Sequence, residues 1–482
     1  MTEEFWSRRA FLKTAALGVA VAATPFARAQ GANGDVRLAV VGLGNKGTQH
    51  ALEFSKLPGV RMVALCDPDT SAMKRAIDKH FADASPQPRT FTDVRKLLED
   101  KEIDAVIVAT PNHWHAAVTV WACQAGKDVY VEKPCSHTLR EGQQMVAAAK
   151  KYNRIVQVGT QSRSDSGLQS VAEYVNGGNL GDLKFLRGVY YGKREPIGKV
   201  SGPQTPPPEI DFDLWLGPAE GPLMRERLHY DWHWQRKYGN GELGNNGVHL
   251  LDLATWMLNI KEFPARVMSI GGRFNFDDDG QFPNTHTVYY DYKPVPILCE
   301  IRNLPKAKGD ANMDDFQGSR VGLEIRGSEG FYMGYNTGGW VYDSKGKKVK
   351  QFPGDGGGAH HQNFLDAVRS RDSEILATNI AAGDLSAGLS HVGNISHQLG
   401  TPAAGAKIHE AAENIDVLHE LVDDFTEHLL VNAVDVAATP RMLGPWLTFD
   451  GTTRKFTGEK AEEANAFVKG TYRPGFEIAE EV

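Results

Sequence analysis

The sequence predicts an α/β protein: an N-terminal doubly wound parallel sheet, then a domain built on a mostly antiparallel sheet. Three observations predict it. Short apolar runs alternate with helical patterns over residues 35–160, as in a parallel sheet buried on both faces. The hexapeptide Gly42-Leu43-Gly44-Asn45-Lys46-Gly47 directly follows the first run. Beyond Gly181 the runs lengthen and partly alternate, with turn signals at Asp277–Gly280 and Tyr292–Val295, the pattern of antiparallel strands.

The chain begins with an address. Ser7-Arg8-Arg9-Ala10-Phe11-Leu12-Lys13 has the form of a twin-arginine export signal, followed by an apolar stretch from Thr14 to Thr24. Ala27-Arg28-Ala29 supplies a small-x-small cleavage pattern, which predicts cleavage after Ala29 and a periplasmic or otherwise exported protein. The apolar stretch is shorter than the about 20 residues that span a bilayer, so no stable membrane insertion is expected.

Strands are then expected at Val36–Val41, Val60–Cys66, Ile103–Ala109, Asp128–Val131 and Ile155–Val158. Helical patterns run to about Leu57, from Ser71, over Val118–Ala125 and near Leu139–Tyr152. The antiparallel strands are expected at Leu183–Arg194, Ala265–Phe276, Thr285–Tyr292, Val295–Arg302 and Val321–Arg326, and helical patterns return at His360–Ser370, Ile380–Leu399 and Ile415–Leu430. This divides the chain into a signal (1–29), a nucleotide-binding domain (35–160), a second α/β domain (161–400) and an accessory extension (401–482).

Composition narrows the function. With 41% hydrophobic and 23% charged residues the chain can bury a core, which excludes disorder as its main state. The formal charge of −7 argues against nucleic acid as a partner. Cys66, Cys123, Cys135 and Cys299 show no C-x-x-C spacing, so buried free thiols are expected. The cysteines do not cluster, and no metal is expected.

The glycine hexapeptide is a G-x-G-x-x-G fingerprint in its proper context: strand before, helix after, and Asp67 twenty residues past Gly47 at the end of the second strand. Gly42 permits the tight turn, Gly44 lets backbone approach a pyrophosphate, and Gly47 lets helix and sheet pack closely. The phosphates would sit on the helix N-terminus. Asp67 would accept hydrogen bonds from the adenosine ribose and repel a 2′-phosphate, so NAD is favoured over NADP.

Further segments carry a family resemblance. Ala109-Thr110-Pro111-Asn112 with His115 closes the third strand, Glu132-Lys133-Pro134 closes the next, and Gly247-Val248-His249 with Asp252 opens a later helix. Over roughly residues 35–400 this order resembles the glucose-fructose oxidoreductase/inositol dehydrogenase/MocA (Gfo/Idh/MocA) family. The resemblance implies a C-terminal α/β domain with a large open sheet, packed face to face in a homodimer or homotetramer. It implies that Lys133 contacts the reacting hydroxyl and the nicotinamide, and that His249 is the catalytic histidine. Thr110, Asn112, His115, Glu132 and Gln161 occupy positions that line the cofactor, beside Asn45 and Lys46 of the fingerprint. The family often has Asp four residues before the histidine, where this chain has Asn245. Asn can orient the ring but cannot stabilise an imidazolium by charge, and Asp252, at i+3 on the same helical face, is the expected substitute.

The residue types suit this chemistry. Oxidising an alcohol moves a hydride to nicotinamide and a proton to a base, a role that His fills, while Lys stabilises a developing alkoxide. In Tyr230-Asp231-Trp232-His233-Trp234-Gln235-Arg236, the residues Trp232, His233 and Arg236 are candidate carbohydrate contacts; an aromatic segment under a loop is the other reading. The expectation is an NAD-dependent oxidoreductase acting on a secondary hydroxyl of a sugar, glycoside or polyol, with cofactor held tightly and recycled by a second substrate. The rivals are a redox-neutral glycosidase, epimerase or lyase working by transient oxidation, and a non-catalytic NAD- or sugar-binding protein.

Overall fold

The computed structural model describes residues 34–225 and 228–481. The export segment 1–29 lies outside the described residues. Six strands, β1 (Val36–Val41), β2 (Val60–Cys66), β3 (Arg89–Phe91), β4 (Ala105–Val108), β5 (Asp128–Val131) and β6 (Val156–Val158), form an all-parallel sheet in the order β3-β2-β1-β4-β5-β6. Alternate residues of β1 feed opposite faces. Ala39 and Val41 pack with the helices Asn112–Gln124 and Leu139–Lys151, whereas Val36, Leu38 and Val40 pack with Asn45–Ser55 and His360–Ser370. Arg37, the lone charge in β1, is satisfied near the start of the strand: its guanidinium donates to Asp104 at 2.7 and 3.0 Å. Thr138 and Glu141 close a reciprocal capping box on Leu139–Lys151.

This domain is not closed at residue 160. Phe364, Leu365 and Val368 fill one side of its core, and Phe476 and Ile478 lie in the other. Arg371 donates to Asp128 at the foot of β5 at 3.0 Å.

The second sheet comprises β7 (Leu183–Tyr191), β8 (Arg266–Gly272), β9 (Thr285–Tyr290), β10 (Ile297–Arg302), β11 (Val321–Gly327), β12 (Gly330–Tyr335), β13 (Gly338–Asp343), β14 (Lys348–Phe352), β15 (Thr401–Ala403), β16 (Arg441–Leu443), β17 (Leu447–Asp450) and β18 (Lys455–Thr457). The path is β14-β13-β12-β11-β7-β10-β9-β8-β16-β15, with β17 and β18 attached to β8. Only β7 and β10 pair in parallel; the other pairs are antiparallel. β12–β14 were not among the expected strands. In the sheet, Gly334 pairs with Gly339 and the Tyr332 hydroxyl lies where either Cβ would project.

One face of this sheet carries Val288, Tyr290, Ile297, Cys299 and Ile325 against the helices Ser166–Asn176, Val248–Met257 and Ile380–Gln398. On the opposite face the chain covers part of the sheet itself. Met268, Ile270, Tyr289 and Leu298 pack under Leu418, Leu421, Val422 and Phe425 of the helix Asp416–Val431. The extension thus completes the sheet and roofs it. All four cysteines are free and buried.

Candidate active site

A cavity of about 1030 Å³ opens along the C-terminal ends of β1, β2, β4 and β5, where an open α/β sheet binds ligands. Gly42 has φ +88°, and a Cβ there would meet the Ala109 carbonyl oxygen at 2.7 Å. A Cβ on Gly47 would lie 1.8 Å from the Gly42 carbonyl oxygen, so only glycine lets the helix Asn45–Ser55 start this close to β1. Gly44 has nothing within 4 Å of its Cβ position and faces the cavity. The cradle is open where a pyrophosphate needs room.

Asp67 ends β2 as expected and lines the cavity, but its carboxylate also has a local task. It accepts from the Leu43 N–H at 2.6 Å and the Asp69 N–H at 2.8 Å, tying the glycine turn to the second strand. Arg75, Lys79 and His80 line the cavity too. The sequence reading missed these three, which extend from the helical pattern it placed after Ser71.

Asn45, Lys46, Thr110, Asn112, His115, Glu132, Lys133 and Gln161 all line the cavity, as expected of cofactor-lining residues. Thr110 Oγ1 is buried with no partner among the described residues, a polar atom available to a ligand. Asn112 donates to Asn240 Oδ1 at 2.9 Å. The ring nitrogens of His115 lie 2.7 Å from the Pro134 carbonyl oxygen and 2.9 Å from that of Thr110, so this ring joins the two strand-end segments. Gln161 donates to the Tyr130 hydroxyl at 2.9 Å and to Glu132 Oε1 at 3.2 Å. Glu132 Oε2 accepts from the Lys133 N–H at 3.2 Å. Burial works against its charge, yet the His50 hydrogen bond and the charges of Lys46 and Lys133 hold the carboxyl well below the usual range.

Lys133 Nζ donates to the Asn245 carbonyl oxygen at 2.8 Å and to Asn245 Oδ1 at 3.1 Å. Burial lowers its pKa. His249 lines the same wall, and its Nδ1 is buried without a partner among the described residues. Burial, and then the charge of Lys133, push its pKa down to about 3, so the ring is neutral at pH 7.

Three expectations are corrected. Asn245 holds Lys133, and its amide donates to Glu242 at 3.3 Å, so neither group is engaged with the His249 ring. The four-residue spacing fails to pair them because Leu243–Gly247 is a π-helical turn, wider than an α-turn. Asp252 does not pair with His249 either; it is buried and held by Arg163 through two bonds of 2.8 Å each. Arg236 is exposed and outside the cavity lining. Trp232 and His233 do line the cavity, stacked with centroids 3.6 Å apart. Behind them Glu242 forms a bidentate pair with Arg194, with both bonds 2.9 Å, which sequence spacing did not reveal.

Two family models match, one after the other. The first, an oxidoreductase family with an NAD-binding Rossmann fold, matches residues 36–160; the second, its C-terminal alpha/beta domain, matches residues 189–424. The chain belongs to the Gfo/Idh/MocA oxidoreductase family. Among curated Gfo/Idh/MocA relatives it is similar to an inositol 2-dehydrogenase of Salmonella typhimurium, 30% identical over 187 residues, which cover 38% of this chain and 54% of the relative. It is also similar to a glycosyl hydrolase family 109 protein of Shewanella baltica, 35% identical over 123 residues, covering 25% and 27%. The alignments thus span about half or less of these relatives. The fold matches a levoglucosan dehydrogenase solved with NADH and levoglucosan, with a TM-score of 0.56 at 17% identity over 74% of this chain and 95% of that one.

Proposed function

We propose that this Gfo/Idh/MocA protein is an NAD-dependent oxidoreductase that oxidises a secondary hydroxyl of a sugar, glycoside or polyol. The observation that carries the reading is the convergence of Lys133, Asn245 and a neutral His249 in one cavity with the open glycine cradle. NAD, when bound, supplies the hydride acceptor. Gly42, Gly44 and Gly47 shape its phosphate site, and Asp67 takes the ribose and disfavours NADP. Asn245 fixes Lys133 Nζ, which stabilises the alkoxide that develops as the hydroxyl loses its proton. His249, neutral and with a nitrogen to spare, accepts or relays that proton. Trp232 and His233 offer an apolar face and a polar edge to a sugar ring.

The inositol and levoglucosan dehydrogenases among the relatives support a polyol or sugar substrate. The twin-arginine segment supports export. Outside the cytoplasm free nicotinamide is scarce, so the cofactor stays bound and a second substrate re-oxidises it. The test is a screen of sugars and glycosides against the purified chain, following the absorbance of reduced nicotinamide. Nucleotide that persists through extensive dialysis and is reduced by a sugar supports the reading. A purified chain that is empty and turns over only with added NAD refutes recycling. Aglycone released from a nitrophenyl glycoside without net reduction would favour the redox-neutral reading.

A further inference from the structure

A line of polar side chains crosses the cavity wall. Glu132 lines the cavity, and its Oε1 lies 2.7 Å from His50 Nε2. His50, fully buried on the helix Asn45–Ser55, has Nδ1 2.9 Å from His361 Nε2 on the helix His360–Ser370. His361 Nδ1 lies 3.5 Å from Glu53 Oε2, whose side chain is 36% exposed. Neither ring nor Glu53 lines the cavity, so the line leads out through the protein to the seam between the two helices.

We propose that His361 and His50 form a proton path from Glu53 at the surface to Glu132 inside, which moves the proton exchanged with each hydride transfer. The proposal rests on the oxidoreductase reading above. Hydrogen count gives the path its logic. One hydrogen on the Nε2 of each ring is enough for the two short gaps and leaves His361 Nδ1 as an acceptor towards the surface. A proton taken up at Nδ1 lets His361 pass its Nε2 hydrogen to His50 Nδ1, and His50 pass its Nε2 hydrogen to Glu132. One proton enters at the seam and one appears on the carboxylate; nothing is oxidised or reduced. The reverse sequence carries outward the proton released when an alcohol becomes a carbonyl and its hydride goes to nicotinamide. With substrate and cofactor filling the cavity, this route stays open to solvent when the mouth does not.

The surroundings are consistent with the path. His361 also faces His360 and the charges of Lys46 and Glu132, and burial with His50 keeps it down at about 3, so its Nδ1 is unprotonated at neutral pH. Tyr130 packs against both rings, 5.1 Å from His50 and 5.6 Å from His361 between centroids, and its hydroxyl is taken by Gln161.

The test uses the full chain loaded with NAD. One readout needs no turnover: the ring-nitrogen resonances of isotope-labelled histidines. Glu132→Gln is expected to shift the His361 resonances although His50 stands between; unmoved resonances overturn the path. The other is the rate at which a sugar reduces bound cofactor, against pH, in ordinary and heavy water. His361→Gln is expected to slow it at least about tenfold, to raise the solvent isotope effect and to alter the pH profile, with added imidazole restoring part of the rate. Glu53→Gln, on the surface, is expected to act in the same direction more weakly. An unchanged profile and isotope effect in both variants overturn the proposal. A wild type that binds NAD but oxidises no sugar overturns the oxidoreductase reading instead, and the resonances still decide the path.

Discussion

Lys133 and His249 share one wall, and burial lowers the pKa of both. Their pH signatures nevertheless differ. His249 is neutral well below neutrality, so it adds no limb to the rate profile near pH 6.5. Lys133 stabilises the alkoxide only while protonated and releases its proton below the usual lysine value, so sugar oxidation is expected to fall with rising pH before about 10.5 is reached. A limb near 6.5 that His249→Asn abolishes would contradict this. Lys133→Met is expected to lower turnover by about a thousandfold while NAD still binds, which nucleotide titration alongside initial rates will show. On the proposal that the Asp67 charge disfavours a 2′-phosphate, Asp67→Asn is expected to lower the ratio of NAD to NADP affinity at least about tenfold. Arg75 and Lys79 in the same cavity make that shift easier. Residue placement was readable where a motif is local: the glycines, Asp67 and Glu132-Lys133 all line or shape the cavity. It was not readable where the partner is remote. Asp252 is matched by Arg163, 89 positions away, and His50 by His361, 311 positions away.

Among the elements, the start of the helix Asn45–Ser55 is the most constrained. Gly47→Ala forces a carbon onto the Gly42 carbonyl oxygen, and the backbone must give. Thermal unfolding is expected to show a loss of at least about 2 kcal/mol, with nucleotide binding lost as well. Thr138→Ala removes one half of a capping box and is expected to cost about 1 kcal/mol without touching binding, a useful control. Five of the six parallel strands were legible because their runs are mostly apolar; Arg89–Phe91, short, polar and largely exposed at the sheet edge, was not. The helix Asn112–Gln124 starts six residues before the predicted Val118, since its first turn, with Asn112, His113 and His115, looks polar. Those side chains are spent on Asn240, Trp215 and Pro134, contacts that no helical period announces.

For the molecule as a whole, buried histidines set the acid limit. Burial holds His113, His249, His361 and His391 down to about 3, and His137, His233, His360 and His397 to about 4. Each binds a proton near pH 6.5 once unfolded. Between 6.5 and the folded values the unfolded chain therefore holds more protons, and stability falls as pH falls. A steep drop in Tm from pH 6.5 to 5 is expected, several kcal/mol in total by scanning calorimetry; a flat profile would mean that these rings reach solvent. The roof over the second sheet was not legible, because the extension's sequence shows one amphipathic helix but not the face it meets. Met268, Tyr289 and Leu298 are already covered within the chain. Removing residues 405–482 is expected to expose that face and cause self-association, detectable by light scattering.

The threading of the chain also bears on its birth. A ribosome emits the glycine turn early, yet the sheet behind it lacks Phe364 and Val368 on one side and Phe476 and Ile478 on the other until those later segments have emerged. Most domains can settle in the order they emerge; this one must wait. Nascent chains arrested near residue 300 are expected to remain open to protease within the first 160 residues, and cofactor is expected to load only onto completed chains. The nucleotide pocket, first in the text, is last to be assembled.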